Sequence, residues 1–265
     1  MIILKKVLII VACLVAIGMP NKAYAEDLNI EEEKESFPVE EKKVSKIPIS
    51  VSADIAIYSD YIWRGFILDD DPVMQSGAAV ELYGLKAIAW GNFGIDNSDD
   101  LDSVEFDITL DYTYKYKVLS LSAGHTWYNF PPIDGRSLEF YIGGALDILL
   151  SPSFVWYHDY GNENHGGGDG DYFIFSAAHG FPLMKFGEND ITLDIGGHIG
   201  YNHKLFMDGD GGDFAIGGGL TIPINKYASF IPSVAYSVSF GDLARENDGN
   251  QKDKLYFGGK LVFSY

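Results

Sequence analysis

The chain is poor in the residues that several large function classes need. It has one cysteine, Cys13, among 265 residues. It has only 19 Lys and Arg against 38 Asp and Glu, a net charge of −19. A phosphate backbone needs a basic footprint, so nucleic acid is excluded as a partner. Beyond residue 25 no apolar run reaches the roughly 18 residues of a membrane-crossing helix. Its six histidines (His125, His158, His165, His179, His198 and His203) sit in no nucleophile or base motif, and no Gly-x-Ser-x-Gly elbow is present. His158 and Asp159 are sequence neighbours, and on a strand they would face opposite sides. No enzyme constellation and no cofactor motif is predicted.

The first residues read as an export signal. Lys5 and Lys6 precede an apolar stretch, Val7 to Ile17, of signal-peptide length. Ala23-Tyr24-Ala25 fits a small-x-small cleavage site, so residues 1–25 are expected to be removed. A lipoprotein box at Ile10-Val11-Ala12-Cys13 is the alternative, but the apolar run continues past Cys13. Cleavage after Ala25 removes the cysteine, leaving no thiol for disulfides, catalysis or metal binding. Residues 26–47 are charge-dense, with Glu31-Glu32-Glu33-Lys34-Glu35 and Glu40-Glu41-Lys42-Lys43 around Pro38. They are expected to form an acidic, disordered tail.

What remains, residues 48–265, is rich in glycine (30 in the whole chain) and in aromatics (14%). It reads as strands. In 104–115, Val104, Phe106, Ile108, Leu110, Tyr112 and Tyr114 alternate with Glu105, Asp107, Thr109, Asp111, Thr113 and Lys115. A period of two sustained this long sets one face in an apolar medium and the other in water. Such length suits a tilted strand crossing an apolar band of about 25 Å. Similar segments occupy 51–58, 73–83, 85–93, 117–128, 138–148, 152–160, 171–181, 191–202, 214–222, 228–240 and 254–265. Long gaps rich in Asp, Gly and Asn (61–72, 94–103, 129–137, 161–170, 203–213, 241–253) alternate with short ones near Gly84, Lys115-Tyr116, Leu150-Ser151, 182–190 and 223–227. The fold expected is all-β: a transmembrane, antiparallel, up-and-down β-barrel of twelve strands, with short periplasmic turns and longer acidic outer loops. A soluble sandwich would not sort its loops by length to two ends.

The last strand carries Leu255, Phe257, Leu261, Phe263 and Tyr265 on one face. It looks like the signal that the barrel-assembly machinery reads, which makes that machinery an expected partner through 254–265. Tyr58, Tyr61, Trp63, Trp90, Trp127, Tyr128, Trp156, Tyr157 and Tyr160 cluster near strand ends. An interfacial girdle against outer-membrane lipid and lipopolysaccharide accounts for them. A ring of sugar-stacking aromatics at a channel mouth is the competing account.

Ser59-Asp60-Tyr61-Ile62-Trp63-Arg64-Gly65-Phe66, then Asp71-Pro72-Val73-Met74-Gln75-Ser76-Gly77 and Ala89-Trp90-Gly91-Asn92, resemble the TorF-type porins of proteobacterial outer membranes. Glu105-Phe106-Asp107, Gly124 to Pro131, Glu139-Phe140-Tyr141 and Gly170-Asp171-Tyr172 extend the resemblance over residues 50–265. Phe66-Ile67 stands where that family usually has Ser-Gln, and the acidic tail is atypical of it. The resemblance implies a barrel with channel function and brings no known substrate.

Asp54, Glu81, Glu105, Asp107, Asp111, Glu139, Asp147 and Asp194 fall on the expected water-facing side, with Lys115, His198 and Lys260 the few cations there. A lumen so lined favours cations. Asp60, Tyr61, Trp63, Arg64 and Gly65 form a motif at the mouth. Arg64 is expected to lock the first loop through Asp60 or Asp69; pairing with a lumenal carboxylate is the alternative. Asp208-Gly209-Asp210-Gly211-Gly212-Asp213 superficially resembles a calcium loop, but Gly212 and Gly219 stand where ligands are needed. The function expected is a porin-like channel for passive diffusion of small hydrophilic solutes, weakly favouring cations. The alternatives are a closed barrel with a structural or surface-recognition role and, after that, a lipid-modifying or proteolytic barrel enzyme.

Overall fold

A computed structural model describes residues 48–95, 104–131, 134–161, 167–187, 189–246, 251 and 253–265. The expected signal segment and acidic tail lie outside the described residues. Fourteen strands follow in chain order. They are β1 (Ile49–Tyr58), β2 (Tyr61–Trp63), β3 (Phe66–Asp69), β4 (Val73–Leu82), β5 (Leu85–Gly94), β6 (Glu105–Tyr116) and β7 (Leu119–Phe130). Then come β8 (Gly135–Leu146), β9 (Ser153–Asp159), β10 (Gly170–Phe186), β11 (Asn189–His203), β12 (Asp210–Asn225), β13 (Ala228–Gly241) and β14 (Lys254–Ser264). All except β2 and β3 form one closed antiparallel barrel of twelve strands. The seam is β1 against β14, with Ser52 opposite Ser264 and Tyr58 opposite Gly258.

The side-chain period of the strands gives the barrel its inside and outside. On β6, Phe106, Ile108, Leu110, Tyr112 and Tyr114 are exposed while Glu105 and Asp107 are buried. Ile55 and Ile57, Ile195 and Ile199, Phe214 and Ile216, and Leu255 and Phe257 are likewise exposed. A surface this apolar is stable against lipid, and closure leaves no unpaired strand edge within it.

The strands run longer than the sequence suggests. β10 reaches Phe186 and β12 reaches Asn225, so the gaps expected at 182–190 and 223–227 shrink to tight turns. The ladders continue through bulges at Pro182/Met184 and Pro223/Asn225. A bulge tolerates a proline that cannot donate to the ladder. The long gap expected at 129–137 also shortens, to 131–134, because β7 and β8 pair out to Phe130 and Gly135.

The girdle is corrected in part. Trp127 and Tyr160 are exposed on the outer face, and Trp156 shares their side. Trp90 faces the bore, where its ring lies 5.7 Å from that of Tyr61. Tyr58, Trp63, Tyr128 and Tyr157 also face inward. Proximity to a strand end says nothing of side; that is set by parity along the strand.

Candidate functional site

β2 and β3 form a hairpin that folds back into one end of the barrel. Its two-residue turn is Arg64-Gly65, with φ of 50° and 80°. Positive φ at both positions is what a type I′ turn demands, and glycine supplies the second at no steric cost. Trp63 and Phe66 pair across the turn. Phe66, Met207 and Leu243 then make a buried apolar cluster against which Trp63 and Phe206 pack.

The turn carries Arg64 across the bore, away from the carboxylates of its own loop. Its Nη1 donates to Glu139 Oε2 at 2.6 Å and its Nη2 to Oε1 at 2.8 Å. The pair is buried, with side-chain exposures of 9% and 1%. The partner expected for Arg64, Asp60 or Asp69, is therefore corrected to Glu139 on β8. Asp60 takes Lys254 instead, at 2.7 Å. Three rings enclose the guanidinium, at 4.4 Å from Trp63, 4.0 Å from Tyr157 and 4.8 Å from Tyr172. Burial opposes the charge, but Glu139 and the tyrosines around it hold the Arg64 proton affinity above its ordinary value.

Four further bonds fasten the hairpin. Tyr61 donates to Glu105 Oε2 at 2.8 Å, and burial followed by the Glu105 charge pushes its phenol well above the usual range, so it remains a donor. Ser239 Oγ donates to the Gly65 carbonyl at 2.7 Å. The Ile67 amide donates to Gln251 Oε1 at 2.7 Å. Lys254 binds Asp60 as above. A Cβ at Gly65 would fall 2.6 Å from the Asp213 Cβ. Gly65→Ala therefore combines a crowded tip with a left-handed backbone, and should destabilise the docked hairpin by about 1–3 kcal/mol. Faster proteolysis between residues 61 and 69 in the folded barrel is the expected readout.

Below the hairpin the bore is polar. A cavity of about 590 Å³ is lined by Thr109, Asp111, Ser122, Thr126, Tyr141 and Tyr157, with Arg64 and Glu139 at its roof. A second, of about 520 Å³, is lined by Tyr58, Asp194, Ser233 and Lys260. Two tyrosines lie flat along this wall, over glycines on the neighbouring strand. Tyr141 crosses Gly124 to reach Asp111 at 2.7 Å, and Tyr172 crosses Gly200 to reach Asp213 at 2.7 Å.

The expected wall residues divide as follows. Glu105, Asp107 and Glu139 lie at hairpin level and are buried. Asp111 and Asp194 line the two cavities. Asp54 faces Gly77, and Glu81 lies opposite Lys86. Asp147 is misplaced by the sequence: β8 ends at Leu146, and Asp147 is exposed in the turn that follows. Two inward carboxylates escaped sequence reasoning. Asp159 is fully buried and accepts from Ser137 Oγ at 2.5 Å and from the amides of Gly161 and Gly168 at 2.8 and 3.1 Å. Asp213 accepts from Tyr172 and binds His198 Nε2 at 2.6 Å. Parity with Ala215 would have placed Asp213 inside; for Asp159 the neighbouring Tyr157, read as a girdle residue, pointed the wrong way. Among the described residues no group of three or more His, Asp or Glu could hold a metal ion.

Among solved structures, the NanC porin matches with a TM-score of 0.50 at 10% identity, over 80% of this chain and 98% of its own. The KdgM porin in complex with disordered oligogalacturonate matches with a TM-score of 0.50 at 10% identity, over 82% and 99%. The fold is that of these porins. No protein-family model matches the chain, and no curated protein matches it in sequence.

Proposed function

We propose that this barrel is an outer-membrane channel for passive diffusion of small hydrophilic solutes, favouring cations, with the β2–β3 hairpin as its constriction. The observation that carries this reading is the polar bore: cavities of about 590 and 520 Å³ lined by hydroxyls and carboxylates inside an apolar outer surface. On the inner wall Asp54, Glu81, Asp111, Asp159, Asp194 and Asp213 outnumber Lys86, Lys115 and Lys260, so the field in the bore is negative. The porin fold and the TorF-type motifs support the same reading. On it, lipid and lipopolysaccharide surround the apolar face, and the barrel-assembly machinery reads β14.

The paired charges at the mouth favour a second reading, a closed barrel with a structural or surface role. Arg64–Glu139 lies across the bore, and Lys254–Asp60 ties the entry of the hairpin to the seam strand β14. Planar-bilayer recording separates the two. The native chain should conduct weakly, and a variant with residues 61–69 replaced by a Gly-Ser linker should conduct more. In a KCl gradient the reversal potential should have the sign of cation flow, and Asp54→Asn, Glu81→Gln and Asp194→Asn together should move it toward zero. Silence from both chains, with folding shown by heat-modifiable migration, would establish the closed barrel.

A further inference from the structure

The hairpin forms one wall of a second compartment, distinct from the bore beneath it. This cavity, of about 380 Å³, is lined by Trp63, Phe66, Tyr128, Phe130 and Phe206, with Glu105 and Glu246 at its margins. The rings form a continuous box. Trp63 meets Phe66 at 6.2 Å, Tyr128 at 6.1 Å and Phe206 at 5.7 Å, and Tyr128 stacks on Phe130 at 6.4 Å. A volume of this order suits a small molecule.

Its charge is one-sided. Among the described residues the nearby cations are already committed, Arg64 to Glu139, Lys254 to Asp60 and Arg245 to Asp242, and neither Glu105 nor Glu246 has an ion-pair partner. The Glu105 carboxyl touches that of Asp107, two residues along the same face. Asp107 is only 9% exposed, and its Oδ1 has no hydrogen-bond partner. Two carboxyls this close share a proton, which leaves one negative charge beside the rings that a cation in the box would neutralise. A bare metal ion would neutralise it but would meet ring faces where it needs oxygens. An alkylated ammonium meets both demands, because its charge attracts ring faces and carboxylates while its alkyl groups bury against the aromatics.

We infer that the aromatic box formed by the hairpin at the barrel mouth is a binding site for a small organic cation of the alkylammonium class. The site stands apart from conduction, and its test needs no current.

Choline and 3,3-dimethyl-1-butanol share a shape and differ in charge. Each would be titrated calorimetrically into the folded full chain in nonionic detergent. Choline should bind saturably, at least about tenfold tighter than the alcohol. Phe130→Leu, which keeps the apolar volume and loses the ring, and Glu246→Gln, at the rim and outside the barrel wall, should each weaken choline severalfold while heat-modifiable migration stays native. Equal affinity for the two probes, absence of choline binding, or unchanged affinity in both variants would overturn the assignment.

Discussion

Arg64→Ala should cost the folded barrel about 3–5 kcal/mol, because it strands the Glu139 carboxylate in a buried site. Glu139 is fully buried, and among the described residues its remaining donor is the Tyr128 hydroxyl at 2.9 Å. The loss also removes the guanidinium from among three rings, so the hairpin loses its central fastening. Urea unfolding in lipid vesicles, followed by tryptophan fluorescence, measures the first effect, and single-channel conductance the second. Conductance should rise toward that of the hairpin-replaced chain. Arg64→Lys should recover little, since an ammonium cannot repeat the two parallel bonds. The decisive comparison is Arg64→Ala with Glu139→Ala, which removes both partners and should be less destabilised than Arg64→Ala alone. A double variant showing the plain sum of two single losses would mean that the pair is not coupled.

Deleting residues 254–265 should abolish the folded state altogether. β14 closes the ring: it pairs with β13 from Ala228–Phe263 to Ser237–Lys254, and with β1 across the seam. Val51 and Tyr265 exchange both backbone bonds at the foot of that seam, at 3.0 and 2.9 Å. Without β14, two strand edges face the hydrocarbon with unpaired amides and carbonyls, each costing several kcal/mol. Refolding into detergent or vesicles should give no heat-modifiable band. A compact band from the truncated chain would contradict the closure argument. Tyr265→Ala is the mild counterpart, since its side chain contributes a ring contact with Tyr227 at 5.7 Å and is otherwise exposed.

The barrel was legible because its strands repeat one simple instruction. β6 alternates without a fault, and the β1, β8, β11 and β12 patterns nearly so, which gives the inner face; the count of twelve came from the alternation of long and short gaps. The hairpin was not legible as a plug. Three residues in β2 and four in β3 are too few to show a period, and Trp63-Arg64-Gly65-Phe66 carries a turn signal without long flanking runs. Its destination depends on partners far along the chain. The sequence pointed to Arg64, but Glu139 could not be chosen over Asp60 and Asp69 without knowing which way the turn points. The aromatics misled for a related reason. Trp90 lies in β5, whose alternation is weak because Ile88 shares its inward face. Asp147 failed at the strand's limit, where parity stops having meaning.

The hairpin lies near the start of the barrel, yet its fastenings come from the middle and end. Arg64 reaches 75 residues ahead to Glu139, Gly65 174 to Ser239, Ile67 184 to Gln251, and Asp60 194 to Lys254. Contacts so distant in sequence form after the local pairings that bring them together. The hairpin's fastenings therefore become available in turn, from the middle of the chain to its end. The final strand does two things at once: it completes the wall, and it delivers the lysine that holds the entry of the hairpin.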